Sequence, residues 1–152
     1  MRLLSHLLLC VGLFEAFTIS TQPSACYNLT GGWKNSKGSI LKIVQTGNHI
    51  RGSFSTAVET VEGAAGNEPV HIRGFAQCGL ISFSVTYKDS VASFSGQCYG
   101  KPLEETLYTT WLLHSRMPDY ENYWMGTRIG QDEFKLVQTY PYTANESTKT
   151  SW

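Results

Sequence analysis

Between Cys26 and Val137 apolar and polar residues alternate with a period of two in about eight short segments, separated by turns rich in glycine and asparagine. Leu29, Gly31, Trp33 and Asn35 share one face of the first segment. After the turn Asn35-Ser36-Lys37-Gly38, residues Ser39, Leu41, Ile43 and Gln45 continue that face on the second. Thr46-Gly47-Asn48 turns again, and Ile50, Gly52, Phe54 and Thr56 follow. A fourth segment runs from near Pro69 to Gln77. The fifth alternates without interruption, Ile81, Phe83, Val85 and Tyr87 against Ser82, Ser84, Thr86 and Lys88. The sixth, Val91 to Cys98, carries Phe94, and an eighth runs from about Asn122 to Val137. The seventh organises the rest: Thr109, Trp111 and Leu113 point one way, Thr110, Leu112 and His114 the other. Neither face is charged. Trp111 is therefore expected to line a ligand pocket, with the opposite face against a second subunit.

Segments of this length and spacing predict an all-β fold, an eight-stranded antiparallel up-and-down β-barrel. Closure removes the unpaired edges that consecutive strands otherwise leave, and an eight-stranded barrel encloses room for one small ligand. Four polar residues fall on inward positions or near them: Asn35, Ser39, Thr56 and Asp132. Each costs about 1–3 kcal/mol if buried without a partner. Four such groups directed at one mouth favour a compact polar ligand head over an internal hydrogen-bond network.

Residues 1–24 read as a secretory signal peptide: Arg2 forms the basic start, Leu3 to Phe14 the apolar core, and cleavage falls between about Ala16 and Ala25. The barrel domain then occupies 25–138, and 139–152 form a polar tail expected to be disordered. Val58 to Glu68, acidic and glycine-rich, reads as a loop at the barrel mouth. The expected localisation is secreted and extracellular. Three cysteines remain after cleavage, Cys26, Cys78 and Cys98, and their spacing permits three pairings. Asn28 and Asn145 head N-glycosylation sequons. Twelve basic and twelve acidic side chains cancel, which argues against nucleic acid or an anionic membrane as a partner. Scattered histidines and the lack of a CxxC pair give no metal site. His49, His71 and His114 fall on outer faces with no GxSxG nucleophile, so no catalytic residue is assigned; for His114 a subunit contact is expected.

The stretches Leu29-Thr30-Gly31-Gly32-Trp33-Lys34-Asn35 with Gly38-Ser39, Thr56-Ala57-Val58, Phe94-Ser95-Gly96-Gln97-Cys98, Thr110-Trp111-Leu112-Leu113 and Trp124-Met125-Gly126-Thr127-Arg128-Ile129-Gly130 resemble the avidin/streptavidin family of biotin-binding proteins. The similarity extends from Cys26 to about Phe134. It implies a homotetramer of barrels, each binding one biotin with no cofactor and no chemical change. On this resemblance Asn35 and Ser39 donate to the ureido oxygen, and Thr56 and Asp132 accept from the two ureido N–H groups. Phe94, Trp111 and Leu113 wall the ring, Ser90 sits near the carboxylate, and Val58 belongs to the site beside Thr56. Trp124 closes the pocket of a neighbouring subunit. Leu112, Met125 and Ile129 face outward toward that neighbour. Cys26 pairs with Cys98.

Several positions depart from the family pattern. Phe54 stands where a tyrosine supplies a third donor to the ureido oxygen, and Tyr87 where a further tryptophan walls the pocket. Ala92 stands where a threonine touches the biotin sulfur, and the turn between the fifth and sixth segments is two residues short. Glu59 and Glu62 fall near the expected exit of the ligand carboxylate. Tight binding, weaker than that of the strongest family members, is the resulting expectation. Gly31-Gly32-Trp33 also fits the GxW that opens lipocalins, which leaves two alternatives: a lipocalin-like carrier of another small ligand, or a secreted structural protein with a vestigial pocket.

Overall fold

The computed structural model describes residues 26–58, 63 and 68–139 of the 152-residue chain. The expected signal segment, most of the loop after Val58, nearly all of the expected tail and Asn145 lie outside the described residues. Eight strands follow in order: β1 (Gly31–Asn35), β2 (Ile40–Thr46), β3 (His49–Ser55), β4 (Val70–Gln77), β5 (Leu80–Thr86), β6 (Ser90–Tyr99), β7 (Thr106–Ser115) and β8 (Thr127–Gln138). Each pairs antiparallel with the next, and β8 returns to β1 through Trp33↔Leu136 and Asn35↔Phe134, so the sheet closes into a barrel. Turn chemistry enforces the hairpins. Gly38 turns the β1–β2 connection with φ +96°, which L side chains rarely adopt.

Burial follows the alternation. Leu41 and Ile43 on β2, Ile81, Phe83 and Val85 on β5, and Ala92, Phe94 and Cys98 on β6 are buried, while the residues between them on β5 and β6 are not. Trp33 anchors one end of this core, its indole N–H donating to Leu29 O at 3.0 Å. The Cys26–Cys98 disulfide ties the chain start to β6 across 72 residues, as the family resemblance implies. Cys78 is free and exposed in the β4–β5 turn. Beside it, Gly79 O accepts the Cys98 N–H at 2.8 Å.

The alternation overreaches at several strand ends, most of all at the eighth. The eighth strand does not begin near Asn122: Tyr123–Gly126 form a single 3-10 turn and the strand starts at Thr127. Tyr123, Trp124 and Met125 are apolar in succession, and a pleated strand cannot turn all three to one face. Ser39 and Thr56 likewise lie just outside the strands, one residue before β2 and one after β3, at the same end of the barrel.

Candidate binding site in the barrel

Asn35 ends β1 with its side chain buried. Its Oδ1 accepts the backbone N–H of Lys37 at 3.1 Å and of Ser39 at 2.8 Å, which shapes the β1–β2 turn and sets Ser39 at the barrel mouth. Its Nδ2 donates to Asp132 Oδ1 on β8 at 3.0 Å. Ser39 is buried and its Oγ accepts the Ala57 N–H at 3.0 Å. Thr56 Oγ1 donates to Val58 O at 3.0 Å and accepts the Val58 N–H at 3.2 Å. The inventory that results is directional. The Ser39 hydroxyl hydrogen and the second Asn35 amide hydrogen are left to donate, whereas Thr56 has spent its proton and keeps only acceptor capacity. Asp132, half-buried, has accepted on one oxygen and offers the other. Donors and acceptors therefore converge from β1, the β1–β2 turn, the end of β3 and β8.

Thr109, outside the polar set expected from the sequence, is buried and its hydroxyl donates to Asp132 O at 3.3 Å, bracing β8 where the carboxylate projects. Its place on the inward face of Trp111 was the available signal.

Below this polar set the interior is phenyl-lined. Phe94 stacks on Phe83 with centroids 4.6 Å apart, and Phe54 meets Phe94 edge-on at 5.5 Å and Phe134 at 6.2 Å. Such pairs are worth about 0.5–1.5 kcal/mol beyond burial. Phe54 is 4% exposed, so the departure from tyrosine places a hydroxyl-free ring inside the barrel. Phe83, legible in the sequence only as an inward core position, and Phe134, not assigned to a face, share this cluster. Trp111, Leu113 and Tyr87 are partly buried and pack against the core. Gly130 on β8 faces Trp111, and a methyl group there would overlap the indole six-membered ring. Ala92 is buried opposite Leu113.

The remaining expected residues stand apart. Ser90 begins β6 half-buried, its C=O accepting the Tyr87 N–H at 2.8 Å. Val58 is exposed at the edge of the described loop, and Glu59 and Glu62 lie outside the described residues. Trp124 is 67% exposed in the 3-10 turn and is not part of its own chain's aromatic cluster. Outside the barrel, His114 Nδ1 contacts Thr127 Oγ1 at 2.9 Å. Among the described residues no group of three His, Cys, Asp or Glu converges as a metal-binding set. In the polar set itself no hydroxyl is hydrogen-bonded to a histidine, so the arrangement supplies recognition rather than an activated nucleophile.

Comparison with known proteins agrees with this geometry. The family model described as "Avidin family" matches residues 23–137. Avidin of Gallus gallus is 31% identical over 145 residues, covering 89% of this chain and 95% of that protein. Among solved structures, the crystal structure of xenavidin superposes with a TM-score of 0.66 at 29% identity, covering 74% of this chain and all of the other. The X-ray structure of a biotin binding protein from chicken gives 0.63 at 28%, covering 72% and 95%. The lipocalin-like alternative finds no support in these matches. A closed antiparallel barrel, the Cys26–Cys98 bridge and a family match across nearly all of the described residues lead to one conclusion: the chain belongs to the avidin family.

Proposed function

We propose that this protein binds biotin tightly and reversibly inside the barrel, one molecule per chain, as a secreted homotetramer. The observation that carries the proposal is the directional polar set above a phenyl-lined interior. Two donors, from Ser39 and Asn35, suit a ureido oxygen, while Thr56 and Asp132 suit the two ureido N–H groups. The chicken relative is a biotin binding protein, which supports the same ligand. Because Asn35, Ser39 and Asp132 are already fixed by hydrogen bonds to the barrel, aligning them with a ligand costs little ordering. Trp111, Phe94 and Leu113 exclude water from the ring and strengthen those hydrogen bonds.

The outer faces support assembly. Leu112 and Ile129 are neighbours across β7 and β8 and are 45% and 68% exposed, with Met125 at 52% beside Trp124. A second copy covering this face would bring Trp124 to a neighbouring pocket. Ser90 would stand near the ligand carboxylate. Asn28 is exposed and available to a glycan, and the balanced charge gives no reason to expect nucleic acid or membrane as partners.

Titration calorimetry with biotin, alongside light scattering, tests the proposal. One biotin per chain and a mass of four chains are expected. Absence of binding heat at every accessible concentration, or a single-chain species, overturns it.

A further inference from the structure

The turn between β7 and β8 presents Trp124 in a way that its own short length cannot explain. A four-residue 3-10 turn has too few hydrogen bonds to hold itself in water. Here it is held at both ends. At its start, Asp119 Oδ1 accepts from Asn122 twice, from the backbone N–H at 2.9 Å and from Nδ2 at 2.6 Å. At its end, Gly126 is the one buried residue of the turn, seated so close to Ser115 O that a side chain there would collide with it and crowd Met117. Two backbone bonds close the coil, Tyr123 N–H to Tyr120 O at 3.2 Å and Met125 N–H to Asn122 O at 3.0 Å. The rings of Tyr120 and Tyr123 stack with centroids 5.3 Å apart and an interplanar angle of 19°. Between these two anchors Tyr123, Trp124 and Met125 stand exposed, although each is a large apolar side chain. None of these three side chains is buried in the barrel core.

We propose that Asp119, through Asn122, is a positioning residue for Trp124, and that the Asp119–Asn122 clamp helps to set how fast biotin leaves the neighbouring subunit. This rests on the reading that Trp124 closes a neighbour's pocket. A clamped turn holds the indole in its closing geometry before ligand arrives. A loosened turn populates that geometry for only a fraction of the time, and closure weakens in proportion. Asp119 is exposed and its hydrogen bonds are to Asn122, outside the barrel.

The test measures dissociation of labelled biotin from the intact tetramer in wild type, Asp119→Ala, Asp119→Asn, Asn122→Ala, Trp124→Ala and the Asp119→Ala/Trp124→Ala double variant, with thermal unfolding as a control. Loss of such exposed hydrogen bonds corresponds to roughly a two- to tenfold change. Asp119→Ala is expected to speed release by about that factor with unchanged unfolding. Asp119→Asn, which keeps the accepting oxygen, restores the wild-type rate, and Asn122→Ala, which removes one of the two bonds, falls between. In the Trp124→Ala background the Asp119 substitution adds nothing. Wild-type release from Asp119→Ala while Trp124→Ala releases fast overturns the clamp and leaves cross-subunit closure standing. Equal acceleration by Asp119→Ala with and without Trp124 also overturns it, because the aspartate then acts elsewhere. Unchanged release from Trp124→Ala itself removes the closure on which both depend.

Discussion

At Phe54 one oxygen decides the chemistry of the barrel interior. The ring is buried and packed edge-on against Phe94 and Phe134, so it completes an apolar cluster where the family's tyrosine would add a donor. On the proposed reading, Ser39 and Asn35 would be the two donors left for the ureido oxygen. Phe54→Tyr is expected to slow release of labelled biotin by about one to two decades, the range given by one added hydrogen bond to a buried acceptor; an unchanged rate refutes this account of the position. Gly130 acts on the opposite wall. A methyl group there meets the Trp111 ring, so Gly130→Ala should displace the indole and weaken biotin binding about tenfold or more in a binding titration. Retained affinity would show that Trp111 does not wall the ligand. Asn35 and Ser39 were legible because polar residues on an inward face are conspicuous. Their partners were not: nothing in strand periodicity reveals that the Asn35 amide spans 97 residues to Asp132, or that Thr56 gives its proton to Val58 O. Alternation assigns a face, not a layer, so Phe83 could be placed inward but not in the cluster it shares with Phe94.

Among the elements, the seven strands before the β7–β8 turn were readable because one buried face forces a strict period of two. That turn was not. Its three consecutive apolar residues follow no strand or helix period, since none of them is buried in the core of the barrel; the proposed assembly would cover them. The β7 and β8 outer faces have the same character. Leu112 and Ile129 lie side by side with Gln131 and Thr110 as the next pair, an uncharged surface suited to a second copy. Trp124→Ala is therefore expected to accelerate biotin release and to weaken the tetramer together, read by dissociation kinetics and by light scattering across a dilution series. Loss of one effect without the other would separate pocket closure from assembly.

For the whole molecule, closure of the sheet is what makes the site possible. β8 pairs with β1 and brings Asp132 to Asn35, joining the first and last strands at the mouth. The Cys26–Cys98 bridge restrains the unfolded chain over 72 residues, worth about 4 kcal/mol in the chain-entropy model. Spacing alone left three cysteine pairings open; the resemblance selected this one, and the fold forms it. A rigid barrel with its polar groups fixed in advance should gain strongly from its ligand, because binding adds contacts at little cost in order. The most direct measurement is thermal unfolding of the purified protein with and without saturating biotin. Ligand at a thousand times its dissociation constant stabilises the folded state by about 4 kcal/mol, which raises the midpoint by roughly 10–20 °C for a domain of this size. A midpoint that does not move when biotin is added contradicts the account.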